Sequence, residues 1–213
     1  MRPGRSRKSR HASAKDDRPR STVLIDSCVW HHSFSRNVLR HLALARAFSM
    51  HWSRSIESEW IRSVHRSHPG IPFDRLVAVR DRFRTEFPDG LVSESTPRQA
   101  LPPLPDPDDE HVLRAAIVAG ASEICTLDRR GFPAGILRPL GIRAITPAEL
   151  LSDSVRLRPR ESATALHTHR ASLVRPAFSP QGYLDALRKS SLILDEEIAR
   201  MVMQALLTAG AQS

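Results

Sequence analysis

TVLIDSCVW, residues 22 to 30, decides how the chain is read, because three apolar residues, Val23, Leu24 and Ile25, run directly into a carboxylate, Asp26. A short continuous run of branched aliphatic side chains suits a strand covered on both faces, the situation of a parallel sheet between helices. Working outward, FSMHW (48–52), GLVSES (90–95), SEICTLD (122–128) and IRAIT (142–146) are further strand candidates. Helical spacing separates them. The stretch 36–47 carries Val38, Leu42, Leu44 and Ala45, and SRSIESEWIRSVHRS (53–67) places Ile56, Trp60 and Val64 at i, i+4, i+8. A third pattern covers 73–87, with Phe73, Leu76, Val77, Val79 and Phe83, and stops at Pro88 and Gly90. EHVLRAAIVAGA (110–121) repeats Val112, Ala116 and Ala119, and Pro147 opens a helix at PAELL. Strand and helix alternate, so the expected fold class is α/β, a parallel sheet flanked by helices. Ligands of such sheets bind at the carboxyl ends of the strands.

Past residue 153 the strand candidates stop, and three helical stretches, near 161–174, 180–189 and 194–208, form a C-terminal helical extension. Ser179 followed by Pro180 marks the start of the second, whose apolar face is Tyr183, Leu184 and Leu187. At the other end, residues 1 to 20 are mostly Arg, Lys, Ser and Pro and lack the apolar surface needed to offset chain entropy, so they are expected to be a disordered basic arm. The expected organisation is an arm over 1–20, an α/β domain over 21–152 and a helical extension over 153–213.

The chain of 213 residues is 40% hydrophobic and 26% charged, which excludes wholesale disorder. The net charge is +9; within residues 1 to 21, eight basic side chains against Asp16 and Asp17 supply +6 of it. That balance favours a polyanionic partner such as nucleic acid. Only two cysteines are present, Cys28 and Cys125, with no zinc-type spacing, and both read as small core hydrophobes. No apolar run is long enough to span a membrane and no signal-peptide core follows the basic start, so a cytoplasmic location and no membrane partner are expected.

Walker A, GxGxxG, GxSxG and HExxH patterns are missing, which removes support for nucleotide hydrolysis and serine hydrolase chemistry. The remaining chemistry is acidic. Asp26 and Asp128 each end a strand candidate, and Asp106, Asp108 and Asp109 gather where a helix starts. Carboxylates brought to one sheet edge without matching Arg or Lys repel one another unless a cation neutralises them, and oxygen donors alone favour magnesium or manganese. The same DPDD segment also makes a good helix start, with Asp106 as N-cap and Pro107 in first position, so capping and metal roles stand at even weight there. A calcium loop is excluded, since His111 and Ile117 stand where Gly and Glu are required. Glu59 taken alone reads as a solvated helix flank. His31 and His32 read as surface or hinge residues, having no third ligand at metal spacing.

Taken together, VLIDSCVW, WSRSIESEW with Glu59 directly before Trp60, LPDPDDEHVLRAAIVAGA and ICTLDRRGFP resemble the four sequence blocks of PIN-domain nucleases, and among them the VapC-type toxins of bacterial toxin–antitoxin pairs. The resemblance covers about residues 22 to 152, and the tail with QGYLDALRKS resembles the C-terminal extension of one VapC subgroup. It implies a PIN-like sheet and a catalytic acid set of Asp26, Glu59, Asp109 and Asp128, with Asp26, Asp106, Asp109 and Asp128 as metal ligands and Asp108 unassigned. It further implies Mg²⁺ or Mn²⁺ as cofactor, RNA as substrate, and a cognate antitoxin and a second copy of the chain as partners. One departure stands out: the subgroup often has Asn where Asp128 stands and Asp where Gly131 stands. That departure is what favours the alternative, a PIN-fold nucleic-acid-binding or regulatory protein with weakened catalysis. A phosphatase reading fails, because Ser27, Cys28 and Val29 after Asp26 do not make a nucleophilic-aspartate motif.

Overall fold

A computed structural model describes residues 20–93 and 101–209. The basic arm apart from its last residue, and the end of the GLVSES segment, lie outside the described residues. Among the described residues, four strands, β1 (Thr22–Ile25), β2 (Ser49–His51), β3 (Glu123–Cys125) and β4 (Arg143–Ile145), form one sheet in the order β2-β1-β3-β4 with every pairing parallel. The chain is therefore α/β, a parallel sheet flanked by helices. Val23, Leu24 and Ile25 are almost fully buried, as a central strand between two layers must be.

The helices follow the spacing of the apolar residues. After β1 come α1 (Ser27–Trp30), a single turn, and α2 (Ser33–Leu44). After β2 come α3 (Arg54–Ser67) and α4 (Phe73–Glu86); α3 starts at Ser53, whose hydroxyl accepts from the Ile56 amide. A 3-10 turn at Pro107–Asp109 runs into α5 (Glu110–Val118). After β3 and a turn over residues 129–133, a short helix, α6 (Ala134–Leu137), follows. A capping box of Thr146 and Glu149 starts α7 (Pro147–Leu157), and α8 (Pro159–Ser172), α9 (Pro180–Lys189) and α10 (Glu196–Ala209) follow.

Two expected strands are shorter than the sequence suggests. β3 stops at Cys125, paired with Ile145 of β4, so Asp128 lies three residues past the strand end. Among the described residues of GLVSES, Leu91 bridges Trp52 in parallel, with the Trp52 amide donating to the Gly90 carbonyl. Leu44 and Phe73, expected on buried faces, are largely exposed.

The core is one continuous apolar cluster that runs from the sheet into α8, α9 and α10. Beneath α1 and α3 it is aromatic: Trp30 stacks on Trp60 with centroids 5.9 Å apart and meets Trp52 edge-on at 5.6 Å and Phe83 at 4.5 Å. Glu57, buried beside this group, accepts from Trp52 Nε1 at 2.8 Å and from Arg84 Nε at 2.9 Å, which ties α3 to α4. On the far side, α8 lies against α2, and His169 Nδ1 meets the Tyr183 hydroxyl at 2.7 Å.

Candidate active site

The parallel register brings the carboxyl ends of β1 and β3 side by side, since Ile25 pairs with Cys125 and the Asp26 amide donates to the Cys125 carbonyl at 3.0 Å. Asp26 caps α1, accepting from the Ser27 amide at 2.6 Å through Oδ1. Its other oxygen, Oδ2, accepts from the Thr126 hydroxyl at 2.7 Å and from the Cys28 thiol at 3.1 Å. Three donors and 6% exposure fix this carboxylate at the base of the edge.

Thr126 reaches both ways, because its hydroxyl oxygen also accepts from the Asp128 amide at 3.0 Å. Asp128 Oδ1 in turn accepts from the amides of Arg130 and Gly131 at 3.0 and 3.3 Å. Asp128 is thus held by a turn rather than by the strand, and Thr126 links that turn to Asp26.

Asp109 arrives from the 3-10 turn before α5. Its carboxyl is pushed up to about 6 by burial and by the charges of Asp26, Asp106 and Asp128, against a partial offset from His111. Burial disfavours the charged form, and the like charges of neighbouring carboxylates add to it. Asp106 is exposed and takes the capping role, with Oδ1 accepting from the Asp108 amide at 2.9 Å; its charge still acts on Asp109. Asp108 is exposed, and its backbone carbonyl meets His111 Nδ1 at 2.7 Å.

Gly131 closes the group. A side-chain carbon there would stand 2.5 Å from Asp109 Oδ2 and 3.3 Å from Asp128 Oδ2. The position therefore points at the acids. Gly120 and Gly141 have left-handed backbones and Gly131 is not among them, so its need for glycine is close approach of the Asp109 carboxylate.

Glu59 sits across the cleft on α3. His111 Nε2 lies 3.1 Å from Glu59 Oε1, in ion-pair contact but out of line for a directed hydrogen bond. Burial works to raise the Glu59 carboxyl, yet His111, the Ser27 hydroxyl and Arg62 outweigh it and hold it below the usual range. Burial likewise works to lower His111, but Glu59, the Asp108 carbonyl and the Asp26 charge raise it above its ordinary value. His111 thus bridges the helix that carries Asp109 to the one that carries Glu59.

Two residues read as bland from sequence belong to this edge. Cys28 is half-buried, its thiol donates to Asp26 and accepts from the Leu127 amide at 3.2 Å, and burial followed by the Asp26 charge pushes it up to about 11. It is a hydrogen-bonding wall of the site and no thiolate. His111 carried no signal beyond its place one turn into α5 next to an acid. Cys125 is fully buried, as expected.

The site is an open α/β edge at which Asp26, Asp109 and Asp128 converge, with Asp106 at its rim and Glu59 opposite. Its donors are all hard oxygens, suited to a magnesium-like cation. Among the described residues no three His, Cys, Asp or Glu side chains are drawn close enough to cage an ion.

No protein-family model and no solved structure matches the chain. Among curated proteins, the one named Putative ribonuclease VapC50, from Mycobacterium tuberculosis, is 33% identical over 79 residues, which is 37% of this chain. The match covers 47% of that protein, so the chain spans about half the length of this relative. Among the described residues, no helix is long and apolar enough to cross a membrane.

Proposed function

We propose that the chain is a metal-dependent endoribonuclease, the toxin of a VapC-type toxin–antitoxin pair. The observation that carries this reading is the convergence of Asp26, Asp109 and Asp128, which together with burial pushes Asp109 up to about 6. The partial similarity to a protein named as a ribonuclease supports the choice of substrate.

When bound, Mg²⁺ or Mn²⁺ supplies charge neutralisation at a phosphodiester and a water acidic enough to attack near neutral pH. Asp26, Asp109 and Asp128 would hold it, and Asp106 would add charge at the rim. The chain's own residues do the rest. Thr126, Cys28 and the Ser27 amide aim the Asp26 carboxylate, so little reorganisation is needed on loading. Glu59, kept ionised by His111, is placed to accept a proton from the attacking water. In-line attack on RNA then leaves a 5′-phosphate and a 3′-hydroxyl.

The decisive test is cleavage of total RNA by purified protein with Mn²⁺, with Asp26→Asn and EDTA as controls. Loss of cleavage in both controls is expected; cleavage that survives Asp26→Asn overturns the site. The antitoxin part of the reading predicts that a small protein encoded beside this chain co-purifies with it and suppresses cleavage. A second reading, a PIN-fold nucleic-acid-binding protein with weakened catalysis, rests on Gly131, where no carboxylate stands at a position aimed at the acids. Tight RNA binding with no cleavage under any divalent cation would favour it.

A further inference from the structure

We propose that Arg62, Ser63 and Arg66 on α3, in a cleft that His31 and His68 also line, form a track leading away from Glu59 that holds single-stranded RNA by its phosphates on one side of the acidic site. This inference rests on the nuclease reading for the identity of the strand, but its geometry is independent of catalysis.

A cleft of about 720 Å³ opens beside the acids, and Ser27, Cys28, Glu59, Arg62, Arg66 and His68 are among the residues that line it. Glu59, Arg62, Ser63 and Arg66 stand at i, i+3, i+4 and i+7 of one helix and so share a face. The face begins at the candidate catalytic carboxylate and becomes cationic with distance from it. Arg62 and Arg66 are exposed, and among the described residues neither forms an ion pair. Arg62 donates through Nε to the Ser58 carbonyl at 3.2 Å, which anchors the guanidinium and leaves its terminal nitrogens for another acceptor. One helical turn, about 6 Å, separates the two Arg residues along the axis, a spacing at which each can meet a different phosphate.

Imidazoles line the same cleft. His31 lies at the end of α1 and His32 precedes α2, while His68 caps the end of α3. His31 is held below its ordinary value by burial and then by its neighbours His32, His68 and Arg36, which shows how closely these groups converge. Aromatic rings beside guanidinium groups in one cleft fit a strand whose backbone lies on α3 and whose bases meet the rings. The strand on this track is therefore single.

The test reads binding of the full chain to a labelled 12-nucleotide RNA in EDTA, where no cleavage occurs, across a salt series. Arg62→Ala with Arg66→Ala is expected to weaken binding at least tenfold and to lower the log–log salt slope by about 1.4, two single-strand phosphate contacts at about 0.7 each. Arg75→Ala with Arg200→Ala, two exposed positions away from the cleft, should change the slope far less. Arg62→Lys with Arg66→Lys should restore the slope, and a hairpin duplex of the same length should bind more weakly. Equal losses from the two alanine pairs, or no binding by the unmodified chain, overturn the track. Cleavage with Mn²⁺ is scored separately: binding as expected without cleavage removes the nuclease reading and leaves the track, and cleavage unaffected by the Arg pair does the reverse.

Discussion

Asp109 is the residue whose protonation couples folding to the proposed metal loading. Its carboxyl titrates near 6 in the metal-free protein, above the value of about 4 it has when unfolded. The native state therefore binds the extra proton, and this contribution to stability is present below pH 4 and lost as pH rises through 6. Metal-free protein should melt lower at pH 7 than Asp109→Asn protein, while Mn²⁺ affinity of the unmodified chain should climb steeply between pH 5 and 7; calorimetry with and without metal checks both. At Gly131 a new carboxylate would have to displace Asp109 Oδ2, so Gly131→Asp should leave cleavage unchanged or lower. Asp128→Asn should weaken metal affinity by about 10- to 100-fold, because Asp128 is held by two amides and by Thr126. A Mn²⁺ titration that finds Asp128→Asn silent and Gly131→Asp more active would transfer the ligand role to position 131. The acids themselves were legible, because Asp after an apolar run and DPDD before a helix are local patterns. His111, Cys28 and the reason for Gly131 were not, since each acts only through a residue brought close by the fold, such as Glu59 on another helix.

At the scale of elements, α8 and α9 are fastened to each other by a polar pair inside an apolar layer that packs against α2. Tyr183 and His169 are buried and meet at 2.7 Å, so Tyr183→Phe strands the imidazole and should cost about 1 to 3 kcal/mol in chemical denaturation. His41 and His169 are each held at about 4, by burial first and then by neighbouring cations such as Arg40. Here the sign is opposite to that of Asp109. Both imidazoles are neutral in the native state, so stability falls as pH drops below about 6.5 and continues falling to about 4. Helix positions were readable from sequence because buried faces repeat every third or fourth residue, and the three terminal helices begin within a few residues of their expected starts. Strand length was not. SEICTLD reads as one strand to Asp128, but pairing ends at Cys125 where its partner β4 ends, a fact written in another segment of the chain. One-turn helices such as α1 and α6 are too short to show a period at all.

In the whole molecule the basic arm enters at the amino end of β1, opposite the edge that carries the acids. A segment of +6 charge that joins there can add counterion release to RNA binding without touching the chemistry. Deleting residues 1 to 20 should flatten the salt dependence of RNA binding and leave the cleavage pattern at saturating RNA unchanged; an altered pattern would mean the arm selects sites. The aromatic group beneath α1 and α3 has a practical corollary. All three tryptophans of the chain belong to it, and the single tyrosine lies on α9. Indole emission therefore senses one patch directly behind the helix that Asp26 caps, and is blind to the terminal helices except through whatever reaches that patch. A denaturation curve followed by fluorescence and one followed by circular dichroism would superimpose only if α8 to α10 come apart together with the sheet, which turns the placement of three rings into an optical measure of the chain's cooperativity.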